Sequence, residues 1–176
     1  IDNIAIGTTS MDALTTGICN IALGINALGA STTGCKNIAI GELAMGVGVT
    51  TGINNIAMGT ASMDALTSGN RNIGIGINAL GVSTTGCCNI VIGAPALDAT
   101  DTTGINNIAL GTTAMDALTS GICNIAIGVN AQGAATTGCN NYAIGELAMG
   151  TGVVTGINNV AMGINAMSAL TAGTNN

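Results

Sequence analysis

The chain of 176 residues contains no Trp, Phe or His, and it has one Tyr and one Pro. Without His it lacks the usual general base and the usual zinc ligand. Charge is also scarce, since two basic and eight acidic residues leave a net charge of −6. Two cations cannot neutralise a run of phosphates, which excludes a nucleic-acid partner. These absences argue against an enzyme, a cofactor and a metal site.

What remains is a chain that is 48% apolar and contains 28 Gly. It is too apolar for simple disorder, yet a core without aromatic residues must consist of Ile, Leu, Met, Val and Ala. The longest weakly polar stretch, residues 38–49, is interrupted by Glu42. We therefore expect no membrane span.

One repeat runs from end to end. The block Asn-Ile-Ala-Ile-Gly begins at Asn3 and returns with small variations in every unit, at spacings of 17, 17 and 18 that add up to a period of 52. No change of composition marks a boundary, so residues 1–176 form a single array, which we interpret as a window of a longer fibre. Each block opens with Asn and carries one Gly four positions later and another near its end, as in Asn3, Gly7, Gly17, Asn20, Gly24, Gly34, Asn37, Gly41 and Gly52. Such positions predict corners, because Gly tolerates positive φ and Asn opens turns in the left-handed region.

The pattern predicts an all-β fold, a parallel β-solenoid or β-roll of about ten coils. One strand lies between the Asn and the Gly of each unit. The segment after it, such as Thr8 to Leu14, is compatible with a single helical turn or a second short strand, and we favour a compact turn. A unit of this size cannot bury a core alone, so the coils must stack, with a rise of about 4.8 Å and a total length of about 48 Å. Stacked Asn side chains should bond along the axis.

Alternation within the strand separates large from small side chains. We expect Ile4 and Ile6 to fill the interior and the small residues to face outward as an apolar strip. Strips of that kind mark interfaces, so the sequence predicts self-association as a homotrimer, packed or intertwined, through Ala5, Ala22, Ala39, Ala57, Ala109, Ala126, Ala143 and Ala161. End-to-end assembly into a filament is also compatible.

The block Asn37-Ile38-Ala39-Ile40-Gly41 resembles the repeats of trimeric autotransporter adhesin heads, and residues 104–115 look more like repeats of phage tail-fibre proteins. The resemblance covers the whole chain and implies trimeric β-rich stalks that carry a receptor-binding part. The unit is longer here than in adhesin heads, and Ile replaces the polar residue that often follows the Asn there. Neither family supplies catalytic residues.

Six cysteines lie near one corner: Cys19, Cys35, Cys87, Cys88, Cys123 and Cys139. The separation between Cys19 and Cys35 equals that between Cys123 and Cys139, and it is about one coil. Disulfides within a chain, disulfides between chains and free buried thiols are all compatible with it.

The acidic residues suggest no site. Asp12, Asp64 and Asp116 occupy the same position of the repeat, and each is three coils from the next. On a straight rod that separation is about 14 Å. Glu42 and Glu146 are likewise far from each other. Asp98 and Asp101 are closer to each other, but we interpret them as part of a polar loop rather than as a cation site. Tyr142 requires a hydrogen-bond partner or a partly exposed position.

The sequence therefore predicts a structural, non-enzymatic shaft segment of an extracellular fibre or filament, on a virion or a cell surface. The alternative is an ice-binding or glycan-binding solenoid that uses a Thr-rich face, and a surface glycan is accordingly an expected class of partner.

Overall fold

The computed structural model describes residues 1–98 and 102–176. It is an all-β solenoid, as predicted, and no helix occurs in this described part of the chain. Each coil contributes one three-residue strand, and the strands form one parallel sheet in chain order. They are β1 Ile4–Ile6, β2 Ile21–Leu23, β3 Ile38–Ile40, β4 Ile56–Met58, β5 Ile73–Ile75, β6 Ile90–Ile92, β7 Ile108–Leu110, β8 Ile125–Ile127, β9 Tyr142–Ile144 and β10 Val160–Met162.

The register makes equivalent residues stack directly on one another. Ile4 pairs with Ile21 and Ala5 with Ala22, and corresponding positions of the repeat pair in the same way throughout the sheet. Outside the strands, single parallel bridges such as Cys35 with Ile53 keep the same alignment. Side chains at one position of the repeat therefore form a column along the rod.

The segment after each strand is a compact turn, as the sequence indicated. In the second coil, Gly24 has φ of 141°, and Asn26 and Leu28 follow in the left-handed region at 57° and 52°. Any side chain at Gly24 would also meet the backbone of Gly41, one coil further on. The late glycines have equally little room, since a Cβ at Gly34 would lie 2.9 Å from Nδ2 of Asn37.

A ladder of buried asparagines runs along the whole rod. The backbone N–H of Asn37 donates to Oδ1 of Asn20 at 2.9 Å, and Asn55 donates to Oδ1 of Asn37 in the same way. Each Nδ2 also closes its own coil, as when Asn37 donates to the carbonyl of Gly52 at 2.8 Å. The ladder continues without a gap from Asn3 to Asn176, which confirms the predicted axial bonding.

The expectation that the Asn itself adopts the left-handed conformation is wrong. That conformation belongs to the preceding residue, with φ of 59° at Cys19, 57° at Lys36 and 61° at Asn54. The left-handed residue turns the chain so that the following Asn points inward, where its amide finds buried partners.

The predicted direction of the strand side chains is also wrong. The strand Ala residues lie inside the coil: Ala22, Ala39, Ala57, Ala109, Ala126 and Ala143 are fully buried and Ala161 nearly so, while Ala5 in the end coil is exposed. An enclosed column of Ala cannot form the proposed interface. The reason is the alternation of side chains along a strand. The ladder Asn points inward, so the small residue two positions later also points inward, and the large residues before and after that small residue point outward.

The core is correspondingly narrow. Leu and Met side chains from the turns, such as Leu28, Met45 and Met63, are fully buried and fill the interior. They occupy the space opposite the small strand residue, since a Cβ added at Gly74 would lie 2.9 Å from the terminal methyl of Met63. The small strand residue therefore leaves room for a long side chain from the facing wall.

One core position breaks the pattern. Gln132 is fully buried in the column that holds Leu28 and Leu80, and its Nε2 lies 3.9 Å from Sδ of Met149. Its Oε1 accepts no hydrogen bond from any described residue. An unpaired buried carbonyl costs about 1–3 kcal/mol.

Replacing a central ladder residue should destabilise the rod strongly. Asn72→Ala removes a donor to the carbonyl of Gly86 and an acceptor for the N–H of Asn89, and both groups are buried. We expect the free energy of unfolding to fall by about 2–6 kcal/mol, from about 1–3 kcal/mol for each unpaired group, measured by urea denaturation. Asn70→Ile is the matched control, because other coils carry Ile at that position, and a similar loss in both variants would contradict the role of the ladder.

Replacing the buried glutamine should have the opposite effect. Gln132→Leu removes the unpaired carbonyl, and the backbone accepts Leu because Leu28 and Leu80 also have positive φ. We expect the free energy of unfolding to rise by about 1–3 kcal/mol, measured by urea denaturation. The converse variant, Leu80→Gln, should lose a similar amount, and an unchanged or lower stability of Gln132→Leu would show that the amide is paired in solution.

Candidate functional site

The described residues enclose no cavity that would hold a ligand. Nor do they bring together three or more Cys, Asp or Glu side chains that could hold a metal ion.

The most distinctive surface is the outer strand face, which we define as the first and third residues of β1–β10. Every one of these positions carries an aliphatic residue or Met, with Ile at most of them, except for Tyr142. None is buried on a single chain: Ile92 keeps 43% of its surface exposed and Tyr142 41%. Sequence reasoning missed this face because it assigned the Ile residues to the core.

Charged groups lie off this face. The two basic residues, Lys36 and Arg71, precede the ladder Asn of their coils, whereas Glu42 and Glu146 follow the strand glycine, and all four are exposed. Both cationic side chains therefore border the face at the N-terminal ends of the strands, and both glutamates border it at the C-terminal ends. Asp2, in the first coil, is an anion on the N-terminal border.

A column of carboxylates occupies the turn side of the rod. Asp98 stands in the same column as Asp64 and Asp116, with Gly81 between Asp64 and Asp98. The backbone N–H of Asp98 donates to Oδ1 of Asp116 at 3.3 Å, and the carboxylate of Asp98 lies over Gly81. The sequence did not place Asp98 in this column because its unit is irregular, and Asp101 lies outside the described residues.

Partial burial raises the pKa of Asp98, and the negative charges of Asp116 and Asp64 raise it further. Hydrogen bonds from the side chain of Asn78 and the backbone of Gly81 act in the opposite direction. Burial also raises the pKa of Asp64. The folded chain thus binds protons at Asp64 and Asp98 more tightly than an unfolded chain does.

The cysteines stand in two neighbouring columns. Cys35 stacks on Ile18 and Ile53 in the neighbouring coils, whereas Cys19 stacks on Lys36. Cys19 and Cys35 therefore belong to columns that differ by one residue position in the repeat. No disulfide links the described residues, and all six thiols are free. Pairing between chains stays a prediction.

The Thr-rich surface lies at a bend rather than on the sheet. The hydroxyl of Thr15 donates to the carbonyl of Thr32 at 2.9 Å, and Thr67 and Thr119 make the same bond to the next coil. These hydroxyl hydrogens hold coils together, while the outer row that includes Thr33, Thr85 and Thr137 is exposed.

Comparison with known proteins gives no match: no family model fits the chain, and no curated protein or solved structure is similar to it. In the described part of the chain there is no helix long and apolar enough to cross a membrane.

The acidic column predicts a pH-dependent stability. Because the pKa of Asp98 is raised in the folded state, its contribution to the free energy of unfolding is most favourable in acid. That contribution is lost as the pH rises through the folded-state pKa of Asp98. Asp98→Asn should therefore be more stable than the wild type at neutral pH, and the difference should disappear at about pH 3, below the ordinary carboxyl pKa. Urea denaturation at both pH values measures this.

Asp12→Asn is the matched control for this experiment, because Asp12 is exposed and has Gly29 and Gly46 in the next two coils of its column. We expect a smaller effect there. A lower stability of Asp98→Asn at neutral pH would mean that the bonds from Asn78 and Gly81 outweigh burial and repulsion.

Proposed function

We propose that this chain is a structural, non-enzymatic shaft segment of an extracellular fibre or filament, of the kind found in phage tail fibres or bacterial surface appendages. The observation that carries the proposal is the unbroken Asn ladder, which bonds each coil only to its neighbours along one axis. Such an array gains length coil by coil without a change in local structure. Length and stiffness are then the function.

The surface chemistry supports a passive role. The described residues offer no convergent acid, base and nucleophile, since the chain lacks His and its carboxylates stand in a column rather than around a cleft. As part of this proposal the shaft contains more than one copy, as a homotrimer, and it contacts other molecules at its surface, glycans among them.

The ice-binding or glycan-binding alternative has less support. Its Thr residues lie at a bend, and several of their hydroxyl hydrogens already donate to carbonyls of the next coil. Thermal hysteresis of the purified chain at low concentration would count in its favour and against the shaft.

Deleting one full period tests the shaft directly. Removal of residues 55–106 joins Asn54 to Asn107 and keeps the phase of the repeat. We expect a folded rod that is three coils shorter, about 14 Å, by small-angle scattering or electron microscopy.

The matched control is removal of residues 55–98, which breaks the phase and should prevent regular stacking. If the in-phase deletion unfolds as readily as this control, the coils do not behave as independent additive units and the shaft proposal fails.

A further inference from the structure

We propose that the outer strand face is the surface through which copies of this chain associate, with the faces of neighbouring copies turned toward one another around an axis parallel to the rod. This inference deepens the proposed shaft function and rests on it for its biological meaning. It replaces the buried Ala column with a surface that is free on a single chain.

The outer strand face is unusual in its composition. A strand face that meets water normally carries polar residues, and this chain has many Thr and Ser available. It places them at the bend, for example Thr33 and Thr85, and none on the outer strand face. A face of this kind on a rod with exposed polar groups elsewhere is typical of a covered surface.

The outer strand face is also large enough for an interface between copies of the chain. Ten strands at about 4.8 Å give a length of about 48 Å. Two side-chain columns about 7 Å apart, each about 4 Å wide, give a width of about 11 Å and a strip on the order of 500 Å² per chain. Two such strips together reach about 1,000 Å², which is the smallest area expected of a biological interface. The strip is also as large as the largest apolar patch on a typical monomer, about 300–600 Å².

A second copy of this chain has the right surface chemistry to cover the outer strand face. A second copy offers the same flat, uncharged columns at the same spacing, and sheets pack face to face when each presents apolar side chains. Copies related by rotation about an axis parallel to the rod place the N-terminal border of one face beside the C-terminal border of the next. Lys36 then approaches the Glu42 of the next copy at nearly the same level, which gives one pair of opposite charges at the rim. Arg71 and Glu146 instead face uncharged residues, Ile77 and Asn140.

The test uses three lysines on the face, one per period. Ile40→Lys, Ile92→Lys and Ile144→Lys together place a charge on β3, β6 and β9. The control, Thr33→Lys, Thr85→Lys and Thr137→Lys, adds the same charge with the same spacing at exposed positions off the face. Molar mass is measured by light scattering on a sizing column, with circular dichroism to monitor the fold.

We expect the wild type and the control to elute as assemblies of three chains, each of 16.9 kDa, and the face variant as a monomer. The dissociation constant should rise by roughly 100-fold or more. A mass of two chains also supports the face, with a different copy number. A monomeric wild type, or a face variant that keeps the wild-type mass, overturns the inference.

Two further measurements keep the result interpretable. If the triple Lys variant fails to fold, Ile→Thr at the same three positions keeps β-branched side chains while removing apolar surface, and it should also dissociate. Tyr142, the single aromatic residue, lies on the face, so acrylamide should quench its fluorescence more in the monomer than in the assembly. Equal quenching would count against the face.

Failure of this inference is distinguishable from failure of the shaft. A monomer that still shortens by three coils on deletion of residues 55–106 retains the shaft function and loses only the interface.

Discussion

The buried asparagine ladder is the constraint on which the rest of the solenoid depends. Each side-chain amide accepts from the next coil and donates to the end of its own coil, so one residue type both closes a coil and joins it to its neighbour. Buried amides are stable only when these partners are present. This requirement keeps the length of the unit nearly constant, because a different length would misalign the Asn with the carbonyl to which it donates.

The same ladder decides what the interior contains. With Asn pointing inward, alternation places Ala inside and Ile outside, and the long side chains of the turns then fill the remaining space. The strand side chains therefore face the opposite way from what hydrophobicity alone predicts, with the small Ala inside and the large Ile outside. Its interior combines amides, Ala, Leu and Met, while its flattest outer surface is aliphatic. In our proposal a second copy of the chain covers that surface.

Charge is placed away from that surface. The few ionic side chains lie off the outer strand face, and the carboxylates of Asp64, Asp98 and Asp116 share one column on the turn side. Like charges in register repel along a stacked array, and partial burial adds to that cost. The raised pKa of Asp98 therefore predicts that this carboxylate lowers the stability of the rod at neutral pH.

The sequence by itself determined the repeat, its longer three-coil period, a strand between the Asn and the Gly of each unit, the parallel stacking and the axial bonding of Asn3 and its equivalents. All of these follow from spacing, because stacking of near-identical units permits few other arrangements. Only the tertiary structure decided which side of the strand is inside, since hydrophobicity favours Ile and parity with the buried Asn favours Ala. It also decided that Asp98 lies beside Asp116 and that Cys19 and Cys35 fall in different columns. Those outcomes depend on a shift of a single position, which the three-dimensional path of the coil sets and spacing alone leaves open.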